Sequence, residues 1–379
     1  MKEIIFIKYH LNKAGGLEKY SYRIVNAFLA KGYKVTLLTS RTSKEFLEKK
    51  DINLIILKPF KIFKFIKLKI FDLKCIFWIK KNKPKLIFSF DRTSVYTHTR
   101  LGNGLHLAFL KRRKIFENKF KLFLNKINPL HRVILTIEKK GFKQKGLKKV
   151  IVNSNMVKTE LIELYNFDPK NISVILNGVE HTELFDAFSN WEVEKTVFAK
   201  KLNLDPAICQ LLFIGNDYKR KGLNFLLKAL AKISEKVFHL SVVGKEKNIT
   251  KYMKLVKRLN LESKVSFYNK RDDIINFYQL SDIAILPTLY DPFSNVTVEA
   301  LAMGLFTITS IYNGAKEIIT KDNGSIIDPL DISGFAKVLS KAMENKKDNK
   351  RANIIRQSVK KLDFSNQLNT LIKTVEPKL

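Results

Sequence analysis

The sequence predicts an α/β protein made of two consecutive doubly wound, Rossmann-like domains, and three observations carry that prediction. The chain has 379 residues, more than one compact domain usually needs. Hydrophobic residues make up 45%, enough to fill two cores. Short apolar runs alternate with segments of helical period in two successive series, and composition shifts between the series near residues 174–180.

Residues 3–8 (EIIFIK) read as a buried strand, followed by a glycine-containing loop. Residues 17–31 then place apolar side chains at helical spacing and stop at Gly32, and VTLLTS at 35–40 is a second strand. Strand, loop, helix and strand in that order form a right-handed βαβ unit, the usual opening of a parallel sheet. Apolar runs at 53–57, 85–89 and 150–154 extend it, while 90–113 reads as irregular. VILNGVE (174–180) marks the hinge, so the domains are 1–178 and 179–361. The second series runs through LLFIGN (211–216), HLSVVG (239–244), KVSFYN (264–269), IAILPT (283–288), FTITS (306–310) and SIID (325–328). An amphipathic helix within about 362–379 is expected to return to the first domain.

The formal net charge of +35 points to a phosphate-bearing partner. It is unevenly spread: residues 1–170 hold 39 Lys/Arg against 12 Asp/Glu, and the remainder holds 31 against 23. Segment 58–85 has ten Lys and one acid, and segment 106–149 has fourteen Lys/Arg and two acids, both interleaved with aromatic and aliphatic residues. Such a mixture suits an anionic membrane surface, where each Lys near the headgroups contributes about 1 kcal/mol. The competing explanation is a general preference for Lys at exposed positions. No stretch of 18 uncharged apolar residues exists, and the N-terminus is too short and charged for a signal peptide. The expected location is cytoplasmic, peripheral on the inner face of the cytoplasmic membrane. Cys75 and Cys209 sit in apolar runs without metal-ligand spacing and read as core cysteines.

Four segments carry candidate chemistry. In LPTLYDPFSNVTVEALAMG (286–304) a strand ends, a loop carries Asp291 and Phe293, and a helix begins near Val296. Backbone N–H groups of Ser294, Asn295, Val296 and Thr297 at that helix start offer a diphosphate site. Asp291 and Glu299 either hold sugar and ribose hydroxyls or serve as a turn residue and a solvated helix position. In LLFIGNDYKRKGL (211–223), Arg220 and Lys221 stand where cations can neutralise a pyrophosphate leaving group, or are ordinary surface bases. KAGGLEKY (13–20) sets Gly15 and Gly16 between strand and helix, either for close approach of a phosphate or as a tight turn, and is not G-x-G-x-x-G. The fourth, FDRTSVYTHTRLGNGLHLAFLKRR (90–113), contains Phe90, Arg92, Thr93, His98, Arg100, Gly102, Asn103, Gly104 and His106.

These segments resemble family 4 glycosyltransferases of GT-B fold, in which two Rossmann-like domains face each other across a cleft. Residues 286–304 are similar to the family's acid-x7-acid signature, with Asp291 where Glu is commoner. The resemblance implies that Asp291 contacts the donor sugar and Glu299 the ribose. Arg220 and Lys221 match the family's basic pair, with Asn216 where an Arg frequently follows the strand glycine. Residues 90–106 look like the F-E-R-T and R-A-G-D-G-x-H elements of lipopolysaccharide-core glucosyltransferases. Asn103 occupies the position of an Asp near the reacting sugar carbon and would act there as a neutral hydrogen-bond partner. Gly15 and Gly16 match the loop bordering donor phosphates and acceptor, and Arg100 and His106 the lining of the site. YNKRDDI, with Lys270, resembles the nucleobase loop, and NGAKEI (313–318) a turn near the donor.

The implied activity is retaining, metal-independent transfer of a hexose from a UDP-sugar to a lipopolysaccharide-core or other membrane glycolipid. Asn103, Asp291, Arg220 and Lys221 carry the chemistry, with no cofactor and no metal. A nucleotide-sugar epimerase or phosphorylase of the same architecture would leave the basic face without a purpose. A nucleic-acid-binding protein would need a binding module that the sequence lacks, so no nucleic-acid partner is expected.

Overall fold

Each parallel sheet grows from apolar strands that are covered on both faces, which is why they appear in the sequence as continuous rather than alternating hydrophobic runs. The computed structural model describes residues 2–11, 16–42, 51–60 and 63–376. It comprises two units, Met1–Leu176 with Gln367–Leu379, and Asn177–Asn366.

In the first unit, β1 (Glu3–Ile7), β2 (His10–Leu11), α1 (Gly16–Ala30), β3 (Lys34–Thr39), β4 (Arg41–Thr42) and β5 (Ile52–Ile56) come first. They are followed by α2 (Lys64–Asn82), β6 (Ile87–Ser89), β7 (His98–Leu101), α3 (His106–Arg112), α4 (Lys119–Ile127) and α5 (Pro129–Lys143). β8 (Lys149–Val152), α6 (Asn155–Tyr165) and β9 (Ile172–Val174) complete the run. Seven strands pair in the order β5-β3-β1-β6-β7-β8-β9, with parallel registers such as Ile4↔Val35 and Phe6↔Phe88. The two-residue period sorts β1 between its faces. Ile5 and Ile7 pack with Phe71, Cys75 and Ile79 of α2. Phe6 turns the other way and meets Phe28 of α1 edge-on at 5.6 Å.

The segment read as irregular, 90–113, contains β7 and α3. β7 has the sequence HTRL, and an apolar-run criterion misses it because its polar side chains are satisfied internally. Thr99 Oγ1 donates to the Ser89 carbonyl at 3.2 Å, and His98 Nδ1 lies 2.9 Å from Thr97 Oγ1.

The second unit contains α7 (Phe185–Ser189), α8 (Trp191–Lys201), β10 (Cys209–Ile214), α9 (Leu223–Ala231), β11 (Phe238–Val243), α10 (Ile249–Arg258) and β12 (Val265–Tyr268). It continues with α11 (Ile274–Leu280), β13 (Ile283–Leu286), α12 (Asn295–Ala302), β14 (Phe306–Ser310), β15 (Gly324–Ile327), α13 (Ile332–Met343) and α14 (Asn349–Ser358). Its six parallel strands follow the order β12-β11-β10-β13-β14-β15. The strand order reverses direction at β10/β13, and ligands of open parallel sheets bind at the carboxyl ends of strands flanking such a point. Cys75 and Cys209 are both free and buried.

The last helix, α15 (Phe364–Val375), begins in the second unit and ends in the first. Leu371, Ile372 and Val375 are buried, and Glu376 pairs with Lys31 at 3.5 Å and accepts from Tyr33. The sequence placed the boundaries at 178 and about 362; the units divide at Leu176/Asn177 and Asn366/Gln367.

Candidate active site

At the carboxyl end of β10, the chain turns through Gly215, Asn216 and Asp217 before α9. Asp217 adopts φ 58° and bonds backbone to backbone with Lys221, so the turn folds back and brings two cations to the strand end. Gly215 is needed there: a Cβ would stand 2.9 Å from Cγ of Lys221, whose side chain lies across it. Gly222 adopts φ 81°, and a Cβ at that position would overlap the Pro287 carbonyl. The β10 turn is thereby locked to the end of β13. The Arg220 carbonyl accepts from Leu289 N–H at 2.8 Å and from Thr288 Oγ1 at 3.2 Å.

The side chains meet on the next loop. Lys221 Nζ donates to Asp291 Oδ2 at 2.6 Å, and both residues are under one-tenth exposed. An Arg220 terminal nitrogen lies 3.8 Å from the same oxygen and donates to the Tyr290 carbonyl at 3.0 Å, while its Nε faces Asp217 at 3.4 Å. A guanidinium and an ammonium stand side by side at one buried carboxylate, with Asp217 facing the guanidinium from the outside, and such a pair of cationic donors suits an incoming anion.

Asn313 holds the Asp291 loop in shape. Fully buried, it accepts from Ser294 N–H at 3.2 Å and Ala315 N–H at 3.0 Å, and donates to Thr309 Oγ1 at 2.8 Å and Thr297 Oγ1 at 3.3 Å. Asp291 and Asn313 also form a backbone bridge. These bonds correct the expectation of four free amides before and within α12. Ser294 N–H is committed to Asn313, and Thr297 N–H to the Ser294 carbonyl at 3.2 Å. Asn295 and Val296, first-turn positions with no intrahelical acceptor, keep the geometry of an anion site. Ser294 Oγ is buried without a hydrogen-bond partner among the described residues.

Glu299 accepts from the Tyr278 hydroxyl at 2.7 Å, and burial together with this carboxylate raises the tyrosine pKa well above its ordinary value. Tyr278 therefore stays a donor and fixes where Glu299 points. Phe293 is buried, and its carbonyl and the Asn295 side chain are both held by Asn177, at 3.2 and 2.7 Å. Asn216 is exposed and accepts from Lys245 N–H at 2.8 Å, and Lys270 is exposed just past β12.

The remaining candidates lie in the first unit. Gly15 is outside the described residues, and Gly16 opens α1 rather than preceding it. Asn103 stands exposed on the turn after β7. His106 is buried at the start of α3, with Nε2 3.0 Å from Nδ1 of His131. Burial, followed by the charges of Arg92 and Arg113 and the neighbouring His131, pushes its pKa down to about 3. Arg100 is turned inward and 4% exposed, stacked 4.3 Å over Tyr20 and donating to the Ile175 carbonyl. It closes the inner side of β7 and, in this conformation, does not line an open surface.

Sequence reasoning missed Asn313, Tyr278 and Asn177, which hold the loops around Asp291 and Glu299, and Glu138, which accepts from Arg92 and Tyr165 in the first unit. NGAKEI and NGV carried a signal only as turns. Nothing local distinguishes Tyr278 or Glu138, whose partners lie 21 or more positions away.

Residues 194–361 match the family model for glycosyl transferases group 1, and residues 14–183 that for Glycosyltransferase Family 4. The chain belongs to the family 4 glycosyltransferases of GT-B fold. This glycosyltransferase is 30% identical over 192 residues to an uncharacterized glycosyltransferase of Methanocaldococcus jannaschii, covering 50% of this chain and 49% of that protein. It is 24% identical over 229 residues to the lipopolysaccharide glucosyltransferase WaaG of Escherichia coli, covering 59% of this chain and 60% of WaaG. The chain thus spans about half to three-fifths of the length of these relatives. In three dimensions it superposes on a crystal structure of WaaG with a TM-score of 0.80 at 18% identity, covering 99% of this chain and 100% of that one. Anabaena HepE in complex with UDP-glucose gives a TM-score of 0.71 at 17% identity, covering 99% of each chain.

Proposed function

We propose that this glycosyltransferase moves a hexose from a UDP-sugar to a lipopolysaccharide-core or other membrane glycolipid, with retention at the anomeric carbon and without a metal. The observation that carries this reading is the cluster of Arg220, Lys221 and Asp291 beside the first turn of α12. Two fixed cations and two first-turn amides supply the positive field that a divalent ion would otherwise bring to a departing diphosphate. In the absence of donor, Lys221 is neutralised by Asp291. An arriving diphosphate gives Lys221 a second anion and leaves the Asp291 carboxylate open to sugar hydroxyls. Glu299, oriented by Tyr278, then meets the ribose. Asn103, in the first unit, is neutral and offers its substrate a hydrogen bond rather than a charge. The complex of HepE with UDP-glucose supports a UDP-sugar as donor, and the similarity to WaaG, a lipopolysaccharide glucosyltransferase, supports a lipopolysaccharide acceptor.

Membrane contact is supported by α4. Phe120, Phe123, Leu124 and Ile127 recur at the spacing of one helical face, yet are 69%, 58%, 43% and 50% exposed. Lys119, Lys121 and Lys126 flank them. An apolar face turned to solvent between lysines fits a peripheral position on an anionic inner leaflet. Among the described residues no helix is long and apolar enough to cross a membrane.

The test is a panel of nucleotide sugars, following nucleotide-diphosphate release with and without truncated lipopolysaccharide, and with and without chelator. UDP-hexose turnover that survives the chelator is expected, together with a loss of a hundredfold or more in Lys221→Ala and Glu299→Ala with folding intact. Full activity in both variants refutes the donor-site assignment, and loss on chelation refutes metal independence.

A further inference from the structure

Glu138 is the acid that the basic segment 106–149 hides most completely, and its surroundings give it a task. Its side chain, on α5, is 1% exposed. Oε2 accepts from Arg92 Nε at 2.9 Å and His106 N–H at 2.8 Å, while Oε1 accepts from the Tyr165 hydroxyl and, at 3.4 Å, from Leu107 N–H. Arg92 uses its other branch to donate to the Gly104 carbonyl at 2.7 Å. On the near side of the turn, fully buried Asn153 donates to the Gly102 carbonyl at 3.1 Å.

The turn is therefore pinned before and after Asn103 by groups from three other segments: Arg92, Glu138 and Asn153. Gly104, at φ 61°, takes the bend that lets its carbonyl face Arg92. Asn103 itself projects into solvent. Burying a carboxylate is costly unless its lone pairs are filled, and here four donors fill them. A fold that fixes a short surface turn with a buried ion pair gains a rigidly presented side chain at its apex.

We propose that Glu138, acting with Arg92, is a positioning residue that holds Asn103 in register with the acceptor-side substrate. This rests on the sugar-transfer reading above. Glu138 touches no substrate; it acts through the backbone of residues 102–107. The competing role is a plain cap on α3, whose loss would lower stability alone.

The test uses the full chain with Glu138→Gln, which preserves shape and removes the charge, and Arg92→Lys, which keeps the charge and loses the fork. Each is made alone and combined with Asn103→Ala. Amide hydrogen exchange should quicken in residues 102–107 of both single variants while the sheet stays protected. Kinetically, kcat/KM for truncated lipopolysaccharide at saturating UDP-glucose should fall tenfold or more, with UDP affinity unchanged. In the Asn103→Ala background the same substitutions should add less than twofold, since the side chain being positioned is gone. Unchanged exchange in 102–107, or an equal kinetic loss in both backgrounds, overturns the proposal. If the wild-type chain neither binds UDP nor uses UDP-glucose, the donor reading fails instead, and the exchange experiment still decides whether Glu138 and Arg92 hold the loop.

Discussion

Asn313 shows how much one buried amide can organise. Its four hydrogen bonds tie the start of α12, the end of β14 and the turn at 313–315 into one support beneath Asp291. Asn313→Ala leaves several buried donors and acceptors without partners, at a cost of about 1–3 kcal/mol each if no water replaces the amide. Denaturant unfolding should show a clear loss of stability, and UDP affinity should fall with it because the helix start shifts. Asn313→Asp, which keeps the acceptor but loses the donating nitrogen, should be intermediate for Ser294 geometry and worse for stability. An Asn313→Ala variant of native stability and native UDP affinity would show that the loop is held some other way.

Much of this residue-scale detail was invisible in the sequence for a physical reason. Arg220, Lys221, Asp291 and Glu299 stood out because they lie in short local motifs that resemble the family's basic pair and acid-x7-acid signature. Glu138, Tyr278 and Asn313 act through partners brought close only by the fold. Arg100 illustrates the opposite error: an arginine in a polar segment looks like a ligand contact, but the strand period turns it inward onto Tyr20.

Among the elements, the strands with apolar runs were legible and β7 was not, since a strand whose polar side chains bond within the sheet leaves no hydrophobic pattern to read. α4 is the reverse case. Its apolar face is plain in the sequence, but only the structure shows that the face is uncovered, with no residue of the helix buried. Phe120→Ser combined with Phe123→Ser should therefore leave thermal stability within about 0.5 kcal/mol of wild type, as surface substitutions usually do. The same pair should weaken sedimentation with phosphatidylglycerol vesicles severalfold. Unchanged vesicle binding would remove α4 from the membrane contact.

On the scale of the whole molecule, buried histidines set the response to acid. Burial pushes the His98 pKa down to about 4, with Lys148 and Lys149 adding to it, and that of His106 down to about 3. Above pH 6.5 both are neutral whether the chain is folded or not. As pH falls through 6.5 the unfolded chain gains protons that the folded chain refuses, so stability is lost from there down to about pH 4 for His98 and about pH 3 for His106. For His98 the loss should reach about 1–2 kcal/mol by pH 5. Replacing His98 with Gln should flatten that part of the profile in thermal unfolding across pH 5–7, and an unchanged slope would mean that the ring takes up its proton without unfolding.

The inward turn of the acids in the basic segments has a different consequence. Asp72 bonds to Ser94, Glu138 is enclosed, and Glu117 pairs with Arg113, so all three acids of segments 58–85 and 106–149 are spent internally. His131, the histidine nearest this face, has its pKa lowered by burial and by Arg113. Among the described residues of these segments, the charged side chains left facing outward are lysines and arginines. On the membrane-contact reading proposed above, binding to anionic vesicles should be flat from about pH 6 to 8.5 and should weaken with added salt, as expected when screening alone sets the range of the attraction. Cells could tune it through ionic strength and the fraction of acidic lipid, and vesicle binding that changed with pH at fixed salt would point to a titrating group on that face.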